Sequence, residues 1–125
     1  MTRYLLATAS VHTTAAAADY LAPRLSADDE VLVVTVDEPH RPDRDTGDAT
    51  NVARSRLVPA SVEVLDRAGD PAEEIRSVLA ERDTDVLVVG PHGGDPDGDA
   101  ELGSTARALL GRVDVPAVVV PVPDL

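Results

Sequence analysis

A chain of 125 residues has the size of one domain, and its 23 acidic residues against 11 basic ones, a net charge of −12, leave no clustered positive charge for nucleic acid or an anionic membrane surface. The absence of cysteine excludes disulfides, thiolate metal sites and a cysteine nucleophile. Hydrophobic residues make up 43% of the chain but aromatic ones only 2%, so the core is expected to be Val, Leu and Ala, which suits a parallel sheet under Ala-rich helices.

Arg3 to Ala9 (RYLLATA) is a short apolar run that fits a first strand. Thr13 and Thr14 are placed to cap a helix that the alanines to Ala18 continue. Tyr20, Leu21 and Leu25 fall on one helical face. Val31 to Val36 (VLVVTV) reads as a strand buried on both sides. Asp37 to Thr50 is polar and rich in Pro and Asp, a loop by composition. Asn51 to Leu57 predicts a brief helix that Pro59 stops. Ser61 to Leu65 (SVEVL) alternates like a strand with one exposed face.

Asp70 is a good N-cap, with Pro71 at the first helical position and Glu73 placed for a capping box. Ile75, Val78, Leu79 and Arg82 follow at helical spacing, and Asp85 to Gly90 (DVLVVG) is another buried strand. Gly103-Ser104-Thr105 opens a last helix whose Ala106, Leu109, Leu110 and Val113 recur at i, i+3, i+4 and i+7. Val115 to Val122 is the final strand, which Pro116, Pro121 and Pro123 push toward a sheet edge or a dimer seam. This alternation predicts one α/β domain over residues 1–125, a parallel sheet with helices on both faces.

The stretch from Gly90 to Ser104 (GPHGGDPDGDAELGS) joins a buried strand to a helix. Its glycines let the backbone approach a ligand closely, and a helix start offers free N–H groups to phosphate. A structural turn with a Ser cap has the same appearance, and neither a Walker-type nor a dinucleotide GxGxxG pattern is present.

Gly90-x2-Gly93-x9-Gly103-Ser104 has the spacing of the ATP-binding motif of universal stress proteins, and the chain resembles that family. The segments GDPAEEIRSVLAERDTDVLVVG and TARALLGRVDVPAVVVP are similar to the family's third helix with fourth strand and its closing helix with last strand. The likeness is strong from Ser61 to Val122 and looser before it. It implies a five-stranded parallel sheet in the order 3-2-1-4-5 and a homodimer through the last strand, Val115 to Val122. It implies an ATP site in which the Gly90–Gly93 turn, with His92, and Gly103, Ser104 and Thr105 hold the phosphates. The end of the second strand near Val36 would meet adenine, and Thr8 and Ala9 would stand beside the nucleoside. Two departures stand out. Ala9 occupies the place where family ATP binders usually carry Asp, and the insert holds Asp95, Asp97, Asp99 and Glu101, which repel a triphosphate unless salt or Mg²⁺ intervenes.

The alternating carboxylates Asp95, Asp97 and Asp99 are also weak candidates for a cation site, against a merely solvated loop. His92 is either a phosphate contact or a turn residue; His12 is a cleft candidate, and His40 reads as surface. Arg107 and Arg112 read as solvent-facing, Arg107 one turn from the phosphate end. Acids scattered along a Lys-free chain read as a surface adapted to high salt, in preference to a patch for a basic partner. Met1-Thr2-Arg3 runs straight into a strand with no leader-like pattern, and no apolar run would span a bilayer, so a soluble cytoplasmic protein is expected. The expected function is an ATP-responsive dimeric stress-response module with at most slow hydrolysis, since no general base is evident. The alternatives are a dimeric scaffold with a degenerate site and an adenylate-forming enzyme, against which the lack of an SGGxDS-type loop counts.

Overall fold

The computed structural model describes residues 1–8, 11–37, 46–57, 60–90 and 104–121. Its strands are β1 (Arg3–Ala7), β2 (Glu30–Asp37), β3 (Ser61–Ala68), β4 (Val86–Val89) and β5 (Ala117–Val119). Its helices are α1 (Val11–Leu21), α2 (Thr46–Arg56), α3 (Pro71–Glu81) and α4 (Ser104–Leu109), with a 3-10 turn at Ala22–Arg24 after α1. The strands form one parallel sheet in the order β3-β2-β1-β4-β5, as the resemblance implied.

Strand alternation divides the core in two. Leu6, Val31, Val33 and Val88 point to one face, where Ala16, Ala17, Ala18 and Leu21 of α1 and Ala53 of α2 cover them. Leu5, Leu32, Val34, Leu87 and Val89 point to the other, under Ile75 and Val78 of α3 and Leu109 of α4. The small alanines of α1 let that helix lie close to a sheet of branched residues. Neither layer has a fully buried aromatic side chain; Tyr4 and Tyr20 are half-buried and pack against the edge of the first.

Several boundaries differ from the sequence reading. Helix α1 begins at Val11, so Thr13 and Thr14 lie inside its first turn and neither stands at the N-cap position. Both are buried, and Thr14 spends its hydroxyl on a tertiary hydrogen bond, which no local pattern encodes. Helix α2 starts at Thr46, five residues before the expected Asn51; Ala53 and Leu57 anchor the segment in the core and override its turn-like composition. Strand β3 continues to Ala68 because β2, alongside, continues to Asp37. Helix α4 stops at Leu109, although the periodicity ran on to Val113. Gly111 takes φ 87°, which turns the chain out of the helix, and Val113 packs on the core from beyond the turn. Strand β5 is only Ala117–Val119 within the expected Val115 to Val122. Pro116 and Pro121, which lack an N–H to donate, flank it.

The cap of α3 is as expected: the Asp70 carboxylate accepts the N–H of Glu73 at 3.1 Å, and Pro71 opens the helix. At the amino ends of the strands, ionic and capping contacts tie the elements together. The Asp29 carboxylate accepts the N–H of Ser26 at 2.9 Å and that of Thr2 at 2.8 Å. Arg3 pairs with Glu30 at 2.7 Å, and Arg82 grips both carboxylate oxygens of Glu63. The donors on Asp29, Ser26 first, hold its pKa below the usual carboxylate range, and the Arg82 hydrogen bond does the same for Glu63. A carboxylate with a lower pKa folded than unfolded stabilises the fold at neutral pH, and that contribution is lost as pH falls through the ordinary carboxylate range toward the folded value. The urea midpoint is therefore expected to fall on acidification through that range, and a Asp29→Ala, Glu63→Gln double variant to show a shallower dependence there. Equal slopes in both proteins would mean that neither group is linked to folding.

Candidate functional site

The sheet order reverses between β1 and β4: from β1 the chain moves outward to β2 and β3, then crosses to β4 and β5. In open α/β sheets the crevice beyond the carboxyl ends of such strands is where ligands bind. Three of the residues singled out above meet this description. Ala7 ends β1 in register with Val34 and Val89. Thr8 follows it, buried, and donates its N–H to the Val34 carbonyl at 3.1 Å. Gly90 follows Val89, also buried, so the β4 end presents backbone with no side chain in the way. Val36 lies near the end of β2, buried on the α3 and α4 face. Beyond the position where β1 ends, β2 runs on through Thr35, Val36 and Asp37 and forms one wall.

The crossover from β4 to β5 re-enters the described structure at Ser104, the first residue of α4. Thr105 is half-buried, while Ala106 and Leu109 are buried and hold α4 on the sheet. Ala9, His92, Gly93 and Gly103 lie outside the described residues, as do Asp95, Asp97, Asp99 and Glu101. His12 is on α1 and exposed. Among the described residues no three His, Asp or Glu side chains gather closely enough to share a metal ion.

The chemistry on view at this end of the sheet is that of hydroxyls and backbone groups. Thr8 Oγ1 and Thr14 Oγ1 are 2.9 Å apart and buried, tying the end of β1 to the first turn of α1. The Thr35 hydroxyl, on the neighbouring strand, donates to the Asp66 carboxylate of β3. The shifted acid groups, Asp29 and Glu63, stand near the amino ends of β2 and β3, away from this crevice. Thr14 and Thr35 were not among the residues expected here. The hint in the sequence was the pair Thr13-Thr14 a few residues after Thr8, near the end of the first apolar run. Thr14→Val removes the hydrogen bond between the Thr8 and Thr14 hydroxyls and is expected to cost about 0.5–1.5 kcal/mol. The Thr8→Val, Thr14→Val double variant should cost less than the sum of the single ones in urea denaturation; strict additivity would show that the two hydroxyls are not coupled.

The family model described as "Universal stress protein family" matches residues 21–121. No curated protein sequence matches the chain. Several solved structures share its fold. Hypothetical protein MJ0577 superposes with a TM-score of 0.81 at 18% identity, over 99% of this chain and 98% of that one. A universal stress protein from Archaeoglobus fulgidus superposes with a TM-score of 0.64 at 19% identity, over 96% and 98%. A universal stress protein in complex with cAMP gives 0.70 at 17% identity, over 98% of both chains.

Proposed function

Because the chain belongs to the universal stress protein family, we propose that it is an adenine-nucleotide-binding module, a cytoplasmic homodimer whose state responds to ATP. The observation that carries this reading is the placement of Thr8 and buried Gly90 side by side at the carboxyl ends of β1 and β4, where the strand order reverses. A ligand approaching here meets backbone and hydroxyl groups, which suit a sugar and phosphates. That a relative of the same fold was solved in complex with cAMP supports a nucleotide as the ligand class.

In this proposal the Gly90–Gly93 turn and Gly103–Ser104 hold the phosphates, assisted by His92 and Thr105. Adenine lies against the end of β2 near Val36, and Thr8 and Ala9 border the nucleoside. Mg²⁺ carried by the nucleotide offsets the repulsion from Asp95, Asp97 and Asp99. The partner subunit joins along Val115 to Val122. Hydrolysis, where it occurs, is slow. The second reading, a dimeric scaffold without nucleotide affinity, is favoured by Ala9 and by the four carboxylates of the insert.

Titration calorimetry of ATP into the protein in molar KCl, with and without Mg²⁺, separates the two. Heat that fits a Kd of about 1–10 µM supports the nucleotide module, and its loss without Mg²⁺ gives the insert a role beside the metal. Competition by cAMP shows whether the adenosine half is the recognised part. No heat and no thermal shift under either condition transfers the assignment to the scaffold.

A further inference from the structure

A second cleft, of about 490 Å³, opens between α3 and the turn that leads from α4 into β5. It is within the size range of small-molecule sites, roughly 300–1,000 Å³. Its position at the amino-terminal side of β5 sets it apart from the crevice at the strands' carboxyl ends. One wall is a helical stripe on α3, where Glu73, Arg76 and Ala80 recur at i, i+3 and i+7; Ala80 is small and leaves the cleft its depth. The opposite wall carries Arg112 and Asp114. Between them Leu79, Val113 and Val115 are half-buried, with one side packed on the core and the other lining the cleft.

The two arginines are what make this more than an apolar groove. Arg3, Arg56, Arg67 and Arg82 each pair with a carboxylate. Arg76 and Arg112 are exposed and have no carboxylate partner among the described residues. Arg24 and Arg54 likewise have no carboxylate partner among the described residues, but neither lines this cleft. Arg76 and Arg112 border one cleft with an aliphatic floor. A guanidinium fork matches a planar carboxylate in a bidentate way, and the floor matches a hydrocarbon chain. Glu73 and Asp114 on the same rim add local negative charge, which repels a polyanion far more than it repels a monoanion.

We propose that this cleft binds an aliphatic monocarboxylate, with the carboxylate held between Arg76 and Arg112 and the chain laid on Leu79, Val113 and Val115. A free short-chain acid and the carboxy-terminal residue of an aliphatic peptide share this chemistry. The site is independent of the nucleotide reading and stands or falls without it.

The test is a titration of the ¹⁵N-labelled full chain with octanoate, with acetyl-Val-Leu and with inorganic phosphate, followed by amide shifts. Octanoate or the peptide is expected to move the amides of residues 73–80 and 112–115 saturably, with a Kd of about 1 mM, as fits a ligand of that size in an open cleft. Arg76→Gln and Arg112→Gln, both at exposed positions, should each weaken binding about tenfold while leaving the dispersed spectrum intact. The tighter of the two organic probes identifies the source, free acid or peptide terminus. Absence of saturable shifts, equal affinity in both variants, or phosphate moving the same amides as strongly as octanoate overturns the proposal.

Discussion

Leu6→Ala is expected to lower the unfolding free energy by about 3 kcal/mol, a large share of the roughly 5–15 kcal/mol of a typical domain. Leu6 lies in the middle strand, in register with Val33 on one side and Val88 on the other, and has no exposed surface. The core cluster it belongs to is built mostly of alanines and valines, with Leu21 and Leu57. Valine is stiff about χ1, and alanine has nothing to rotate, so the vacated volume stays largely empty and the cavity adds to the lost transfer energy. A core with aromatic or methionine side chains would relax further. Urea denaturation should show the midpoint falling with an unchanged slope. Leu6→Met, which conserves volume, should cost less than about 1.5 kcal/mol. Equal midpoints for wild type and Leu6→Ala would contradict the central place of β1 in the sheet.

Gly103→Val is expected to weaken ATP binding about a hundredfold, and Ser104→Ala about tenfold. The proposal requires backbone N–H groups to approach phosphate oxygens closely, and a branched side chain at Gly103 excludes that approach. Removing the Ser104 hydroxyl takes away one donor and leaves the backbone free. Arg76→Gln, in the other cleft, serves as a control with unchanged ATP affinity. The affinity of the wild type should also rise with salt. At low ionic strength Asp95, Asp97, Asp99 and Glu101 repel the triphosphate, whereas at 1 M the screening length is about 3 Å and only direct contacts remain. If Gly103→Val and Ser104→Ala both bind ATP as the wild type does, this loop is not part of the nucleotide site.

The sequence by itself determined the architecture of this protein. The run Val31 to Val36 could only be a strand covered on both faces, and it is buried throughout. Asp70-Pro71 marked the start of α3 because capping and the missing proline N–H act within one turn. The alternation of strands and helices left a doubly wound parallel sheet, and the glycine spacing from Gly90 to Ser104 pointed to the family whose model matches residues 21–121. In each case the signal is local, a period or a backbone preference carried by adjacent residues.

The tertiary structure decided where elements stop and which polar groups meet. Helix α4 ends at Leu109 and strand β3 reaches Ala68 because of a turn at Gly111 and a neighbouring strand, neither of which alters the hydrophobic pattern. Thr8 and Thr14 read as a strand end and a helix cap, and they meet only once α1 folds back over β1. Arg76 and Arg112 are 36 positions apart (112 minus 76) and look like two solvated charges in the sequence. The packing of α3 beside the turn into β5 sets them on one cleft and leaves both without a carboxylate partner among the described residues. Contacts of that kind depend on the distance between side chains in the folded state, which a sequence pattern does not contain.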